Sequence, residues 1–308
     1  MSGLGLVDTQ VGNRIRQKEQ PALSSVDYRM WAVSDGCYMA CQHAVDALPA
    51  SALCIDISPS SGIVFRKTEC KTDNLIHFPD CVSDMVIAEI AKFWTKEEHF
   101  RSRGFMWKRG FMIYGPPGSG KTSTVNIVCA HHIMTGGVAV YLSSPSVDSA
   151  GLKILRKIEP TRPLLIIIED IDAVASSHGD SDLLSLLDGE TQIDNVVYIA
   201  TTNYPERLDP RLVNRPSRFD IVAKIGMPSA EARGVYLRSR SKQLSDKEID
   251  EWVQATEEFS FAHLKELIVS VEVFERPFAE CVERLKMMME CKSSSSEFKS
   301  PAKMGFGS

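Results

Sequence analysis

From Gly110 onward, short apolar runs alternate with longer segments in which apolar residues recur every three to four positions. The runs at 111–114, 138–142, 164–169 and 196–201 are too short for helices and almost continuously apolar, the pattern of strands buried on both faces. Strand and helix in alternation predict a parallel sheet sandwiched by helices, with ligands at the carboxyl ends of the strands. Past Pro228 the period becomes helical throughout, over 230–244, 246–256, 260–274 and 277–291, which predicts a small helical lid. Ahead of the core a helix runs from Phe78-Pro79-Asp80 to about His99, capped by Asp80 or Ser83, with Met85, Ile90, Phe93 and Trp94 at helical spacing. Residues 1–75 read as a small α+β segment with a helix over 36–47 and strands over 52–57 and 62–68, joined at the turn 58–62. The predicted fold is therefore α/β, with an N-terminal segment to 75, a large subdomain over 76–228, a lid over 229–291 and a disordered polar tail over 292–308.

Composition bounds this picture without redirecting it. With 308 residues and 44% hydrophobic content the chain is long enough for one α/β domain and smaller flanking units. Its 35 basic and 40 acidic residues give a net charge of -5, which excludes a chain-wide footprint for nucleic acid or anionic membrane. The longest aliphatic run, Leu164 to Ile168, is far short of the roughly 20 residues of a membrane span. The N-terminus has neither a basic start nor an apolar stretch of secretory length, so the expected location is cytoplasmic. The eight cysteines form no CxxC pair and read as reduced thiols. Cys37, Cys41 and His43 are close enough in sequence to raise a zinc site, but a fourth ligand is missing.

The chemistry is carried by the residues just past the end of each strand. The run 111–114 leads into Gly115-Pro116-Pro117-Gly118-Ser119-Gly120-Lys121-Thr122-Ser123, which meets every fixed position of GxxxxGK[ST]. Gly115, Gly118 and Gly120 are expected to adopt angles closed to other residues, turning successive N–H groups onto a polyphosphate at the start of a helix. Lys121 adds a mobile positive charge, and the Thr122 hydroxyl is placed to ligand magnesium. The run 164–168 delivers Glu169 and Asp170, one carboxylate for the metal side and one to orient the attacking water; Asp172 reads as a helix cap or a subunit contact. The run 196–201 ends near Asn203, whose amide both donates and accepts and so can hold water or sense a γ-phosphate. Beyond it, Arg215 and Arg218 read either as salt-bridge cations or as fingers reaching the nucleotide of the next subunit, a device worth about 10³ to 10⁵ in turnover.

Taken together, these elements resemble the AAA ATPase family over roughly 75–290, nearest the branch of the mitochondrial translocase and chaperone of the Rieske iron–sulfur protein. The Glu169-Asp170 order, the lead-in from Lys108 to Gly115, the segment 184–189 and Thr201-Thr202-Asn203-Tyr204 followed by Arg207-Leu208-Asp209-Pro210 carry that likeness. The resemblance implies ATP and Mg2+ as cofactors, Lys121 and Thr122 as phosphate and magnesium contacts, Glu169 and Asp170 as the acidic pair, Asn203 as sensor, and Arg215 and Arg218 as fingers in trans. It also implies a homo-oligomeric ring of six or seven subunits. The family's RPGR reads Arg215-Pro216-Ser217-Arg218 here. Its lid motif GFSGAD reads Glu258-Phe259-Ser260-Phe261-Ala262-His263, so Ala262 is the implied adenosine contact while Phe261 replaces a glycine.

The segment 143–151 after the second run reads as a loop without the aromatic that family unfoldases use to grip extended chains. The expected function is accordingly ATP-driven remodelling or translocation of a protein partner. A nucleic-acid-associated ATPase, such as a helicase or clamp loader, is the alternative raised by basic clusters at Arg101-Ser102-Arg103, Lys108-Arg109 and 153–157; a slowly hydrolysing scaffold is a third.

Overall fold

The computed structural model describes residues 30–34, 37–41, 43–59, 62–70, 76, 78, 82–188, 193–213, 215 and 217–290. Residues 1–29, Asp80 and the polar tail over 292–308 lie outside the described residues. The chain divides into two compact units between residues 46 and 47. In the first, β1 (Met30–Ser34) and β2 (Cys37–Cys41) pair antiparallel, from Met30 opposite Cys41 to Ser34 opposite Cys37. The helix expected over 36–47 is thus replaced by a strand, and Asp35-Gly36 between two apolar runs is a hairpin signal strong enough to account for it. On a helix Cys37 and Cys41 would share one face; along β2 their backbones stand about 13 Å apart, too far to share one zinc ion.

The second unit is built on a seven-stranded sheet. Its order is β4-β3-β6-β7-β8-β5-β9, where β3 is Ala52–Ser58, β4 Gly62–Lys67, β5 Lys108–Tyr114, β6 Val138–Tyr141, β7 Leu164–Ile168, β8 Val196–Thr202 and β9 Ile221–Lys224. All pairs are parallel except the edge pair of β3 and β4. The strands expected within the N-terminal segment therefore belong to the main sheet, with β3 in parallel register against β6 from Ala52 opposite Ala139 to Cys54 opposite Tyr141. The four-residue strand β9, too short to stand out in the sequence, adds an edge beside β5.

Period-two alternation sends each central strand to two cores. Leu164, Ile166 and Ile168 of β7 face the helices α4 (Pro145–Ile158), α5 (Ile171–His178) and α6 (Asp180–Asp188), meeting Leu152, Leu155, Ile171 and Leu183. Leu165 and Ile167 face the other way, toward α1 (Val82–Trp94) and α3 (Lys121–Met134), with Val86, Ile90, Phe93, Val125 and Val128. All five side chains of β7 are fully buried, each worth about 1.5–3 kcal/mol before conformational entropy is counted. The helix expected to reach His99 breaks at Thr95, whose hydroxyl donates to Lys92 O (2.8 Å), and α2 (Glu97–Arg101) restarts after it.

The lid has its own core. Helices α8 (Ala230–Arg240), α9 (Asp246–Ala255), α10 (Phe261–Ile268) and α11 (Phe278–Glu290) enclose Leu237, Trp252, Phe259, Leu264 and Leu285, and the segment expected to be one helix to 274 passes into a π-helical turn over Val269–Val273. The short α7 (Pro210–Val213) lies between β8 and β9 in the chain.

The segment expected to form a loop over 143–151 is instead mostly the first half of α4. Pro145 opens the helix, a position where its missing N–H costs nothing, and Asp148 accepts from the amides of Ser143 (2.9 Å) and Ser144 (2.7 Å). A Cβ on Gly151 would stand 2.6 Å from the Ile55 side chain, so the helix is pressed against β3.

Asp148 is buried, and burial pushes its carboxyl up to about 6 despite the two amide bonds that oppose the shift. A raised carboxyl favours the folded state below the unfolded value near 3.8 and loses that contribution as pH rises through about 6. Asp148→Asn should remove a slope worth up to about 3 kcal/mol between pH 4 and 6, measured as urea midpoints across that range; an unchanged slope would assign it to other groups.

Candidate functional site

The phosphate loop joins the end of β5 to the start of α3. Gly118 and Gly120 take positive φ values of 72° and 103°, as the motif requires, and Gly120 is the N-cap of α3. Gly115 is needed for a different reason. Its φ is ordinary, but a Cβ there would meet the Ile225 carbonyl oxygen at 2.0 Å, because the chain leaving β9 runs against it. Lys121 is buried and donates from Nζ to Gly115 O and Pro116 O, both at 2.9 Å. Burial holds its ammonium below the usual lysine range, with Asp170 and Asp172 pulling the other way. Ser119 Oγ is buried without a partner.

A cavity of about 810 Å³ opens over this loop. Pro117 through Ser123 line it, together with Asp170, Asn203 and Ala262; Gly115 and Pro116 stay behind, holding Lys121. Asp170 follows β7 in a left-handed conformation (φ 46°), its amide donating to Thr201 Oγ1 (3.1 Å). Asn203 Nδ2 donates to Asp170 Oδ1 at 3.4 Å, so the second acid and the polar residue after β8 meet across the strand ends. Glu169 does not line the cavity, and its Oε1 is buried without a hydrogen-bond partner. An orphaned carboxylate oxygen on the residue that joins β7 to Asp170 is a donor that a hard cation would satisfy, so these residues fit a magnesium nucleotide. Asp172, in the first turn of α5, accepts from Thr202 Oγ1 (2.6 Å), which ties α5 to β8.

The lid rests directly on the loop. Phe261 N donates to Gly118 O (3.1 Å), and a Cβ on Gly118 would meet Ser260 Oγ at 2.7 Å and Ala262 Cβ at 3.0 Å. His263 accepts at Nδ1 from Ser260 N (3.3 Å) in a capping box at the start of α10, which makes it a helix-end residue; burial holds its imidazole below the usual histidine range. Phe78, Tyr236, Arg240 and Lys265 also line the cavity. They were not legible as site residues because they come from three separate segments that no local motif links.

Residues 111–227 match the family described as ATPases associated with various cellular activities, AAA. The chain carries an AAA domain. Among its relatives are a cell division cycle protein 48 homolog of Archaeoglobus fulgidus, 30% identical over 225 residues that make up 63% of this chain and 30% of that one. A probable mitochondrial chaperone BCS1-A of Dictyostelium discoideum is 33% identical over 163 residues, 47% of this chain and 38% of the relative. An ATP-dependent zinc metalloprotease FtsH of Acidothermus cellulolyticus is 30% identical over 204 residues, 59% and 30% of the two chains. The matches thus span well under half the length of each of these relatives. The mitochondrial chaperones among them agree with the branch that the order Glu169-Asp170 and its flanking segments resemble.

The two arginines of the AAA domain lie at the other end of β5. Arg215 and Arg218 both approach Asp188, at 3.6 and 3.7 Å, and Lys108 Nζ reaches the same carboxylate at 3.5 Å. Lys108 is the first residue of β5 and Tyr114 the last, so at about 3.3 Å per residue the arginine end is roughly 20 Å from the protein's own phosphate loop. Arg218 is only 7% exposed in its side chain and donates to Arg211 O, whereas Arg215 is 62% exposed. Burial and Arg215 both hold the Arg218 guanidinium below its usual range. Among the described residues no helix is long and apolar enough to cross a membrane.

Ser217, between these arginines, adopts φ 83°, a conformation that costs a residue with a Cβ about 1–2 kcal/mol. Ser217→Gly should therefore raise stability by roughly 0.5–1 kcal/mol after glycine's extra chain entropy is subtracted, read as a higher urea midpoint. A lower midpoint would mean that the serine side chain holds the turn.

Proposed function

We propose that this protein is a magnesium-dependent ATPase acting as a homo-oligomeric ring of six or seven subunits, which couples hydrolysis to remodelling or translocating a protein partner in the cytoplasm. The observation that carries the ATPase reading is the convergence of the phosphate loop, Asp170 and Asn203 on one cavity, with Asn203 within 3.4 Å of Asp170. Gly118, Ser119 and Gly120 present the loop to the phosphates, and Lys121 exchanges its two carbonyl partners for phosphate oxygens. Thr122 and Glu169 are the residues that would hold magnesium, which supplies neutralisation of the phosphate charge. Asp170, positioned by Thr201 and Asn203, orients the attacking water and takes its proton.

The ring reading draws on the arginine end. Arg215, Arg218 and Lys108 converge on Asp188 about 20 Å from the protein's own phosphate loop, with Asp209 and Asp220 also acting on the cluster, and Arg215 is the exposed cation of the three. Arg215 is the exposed finger of the pair, and the buried Arg218 braces the turn that carries it. A protein partner is favoured over nucleic acid because much of the basic character is spent internally. Arg101 pairs with Asp194 and Glu97, Lys108 with Asp188, and Arg156 donates to backbone oxygens of Asp194, Asn195, Glu159 and Arg162. The helical α4 leaves only Leu142, Ser143 and Ser144 between it and β6, with no aromatic loop to grip an unfolded chain, so the partner is moved or reshaped in folded form. Free thiols at Cys54, Cys70, Cys129 and Cys281 suit a reducing compartment.

Asp170→Asn should bind ATP within a fewfold of the parent protein while turnover falls by about 10²-fold or more; hydrolysis at the parent rate would overturn the assignment of Asp170. Mixing Arg215→Ala with Lys121→Ala subunits should restore part of the activity that each lacks alone. An absence of rescue at every mixing ratio would sink the trans finger.

A further inference from the structure

One end of the nucleotide cavity is aromatic. Phe78, Tyr236 and Phe261 all line it, next to the apolar side chains of Ile76, Val82 and Ala262. Phe261 and Phe78 are stacked, with centroids 4.6 Å apart and planes 20° from parallel. Tyr236, on α8 of the lid, is tilted against Phe261 with centroids 5.3 Å apart and planes at 43°. The backbone of Phe261 is pinned to the phosphate loop through Gly118 O, and its ring edge lies 3.5–3.6 Å from where a Cβ on Gly120 would stand. An aromatic pair is therefore fixed at van der Waals distance from the phosphate cradle, bridging the lid and the segment ahead of α1.

We propose that this pair is the nucleobase subsite in its closed form, and that a flat heteroaromatic base binds by inserting between the rings of Phe78 and Phe261. The inference rests on the nucleotide reading above. At 4.6 Å the two rings touch, so a base enters only as they part, exchanging one ring contact for two base contacts. Phe261 is held by the Gly118 hydrogen bond at its backbone and by its contact with Tyr236, so Phe78 is the ring expected to give way. The apolar neighbours make this recognition of the base's faces. The substitution of phenylalanine for the family's lid glycine is then a gain of stacking surface in this chain, with Ala262 reduced to packing beneath it.

The test compares ATP with inorganic tripolyphosphate, which has the phosphates and no base, each with magnesium, by titration calorimetry on the full chain. Phe261→Ala and Phe78→Ala should each weaken ATP binding on the order of three- to tenfold and leave tripolyphosphate binding within twofold, while Phe261→Tyr keeps parent affinity for both. Unchanged or tighter ATP binding in the alanine variants would overturn the base sandwich, leaving the nucleotide reading intact; so would a parallel loss of tripolyphosphate. A parent protein that binds neither ligand would overturn both readings.

Discussion

The structure depends on the close seating of β5 against the segment that runs from Arg215 to Ile225. At one end Gly110 lets the Arg218 carbonyl approach to 1.7 Å from where a Cβ would be, and Gly110 exchanges hydrogen bonds with Asp220, receiving from Asp220 N (2.9 Å) and donating to Asp220 Oδ2 (3.0 Å). At the other end Gly115 admits the Ile225 carbonyl, and Ile225 N donates to Tyr114 O (2.8 Å). Two glycines and a ladder of backbone bonds therefore lock the strand to this segment from Gly110 to Gly115. The phosphate loop leaves the upper end of this bar and the arginines sit at its lower end. A rigid strand transmits displacement with little loss because packed interiors deform reluctantly. In a ring, where the arginine end of one subunit would face the nucleotide of the next, the state of one site would be felt at the other through this bar.

The sheet and the lid were largely legible in the sequence, since both depend on local periodicity. The central apolar runs could only be buried strands, and each led into the side chains that a phosphate site needs. What escaped were features decided by distant contacts. Gly115 carries the same motif letter as Gly118 and Gly120, yet it is required by a carbonyl 110 residues away in the chain, which periodicity cannot reveal. The serine-rich stretch after β6 has the composition of a loop, but Pro145 at the helix start, the reach of Asp148 back to Ser143 and Ser144, and the contact of Gly151 with Ile55 make it helical. The hairpin of β1 and β2 was the opposite case, where a local Asp-Gly turn signal outweighed a weak helical pattern.

The two arginines show why motif identity and role separate. In sequence Arg215 and Arg218 are equivalent members of one motif. Folding buries Arg218 against Asp188 and the Arg211 carbonyl, while Arg215 stays in solvent. A guanidinium enclosed in this way cannot reach an anion on another subunit without breaking the contacts that fix the turn. On the finger reading, Arg215 would be the charge displayed, while Arg218 holds the turn at the base of β5.

Lys121 links this frame to the chemistry. Its ammonium bonds to the Gly115 and Pro116 carbonyls, so the loop is held in shape by the same charge that the proposed function assigns to phosphate. A buried ammonium without partners would cost several kcal/mol, and the carbonyls offset that cost. Incoming phosphate oxygens would compete with two good hydrogen bonds, and would be favoured because they bring full negative charge where carbonyls bring only dipoles. The exchange frees the Gly115 and Pro116 carbonyls at the end of β5 nearest Ile225. On the ring reading proposed above, phosphate binding would then be felt first by the strand that has the arginines at its far end.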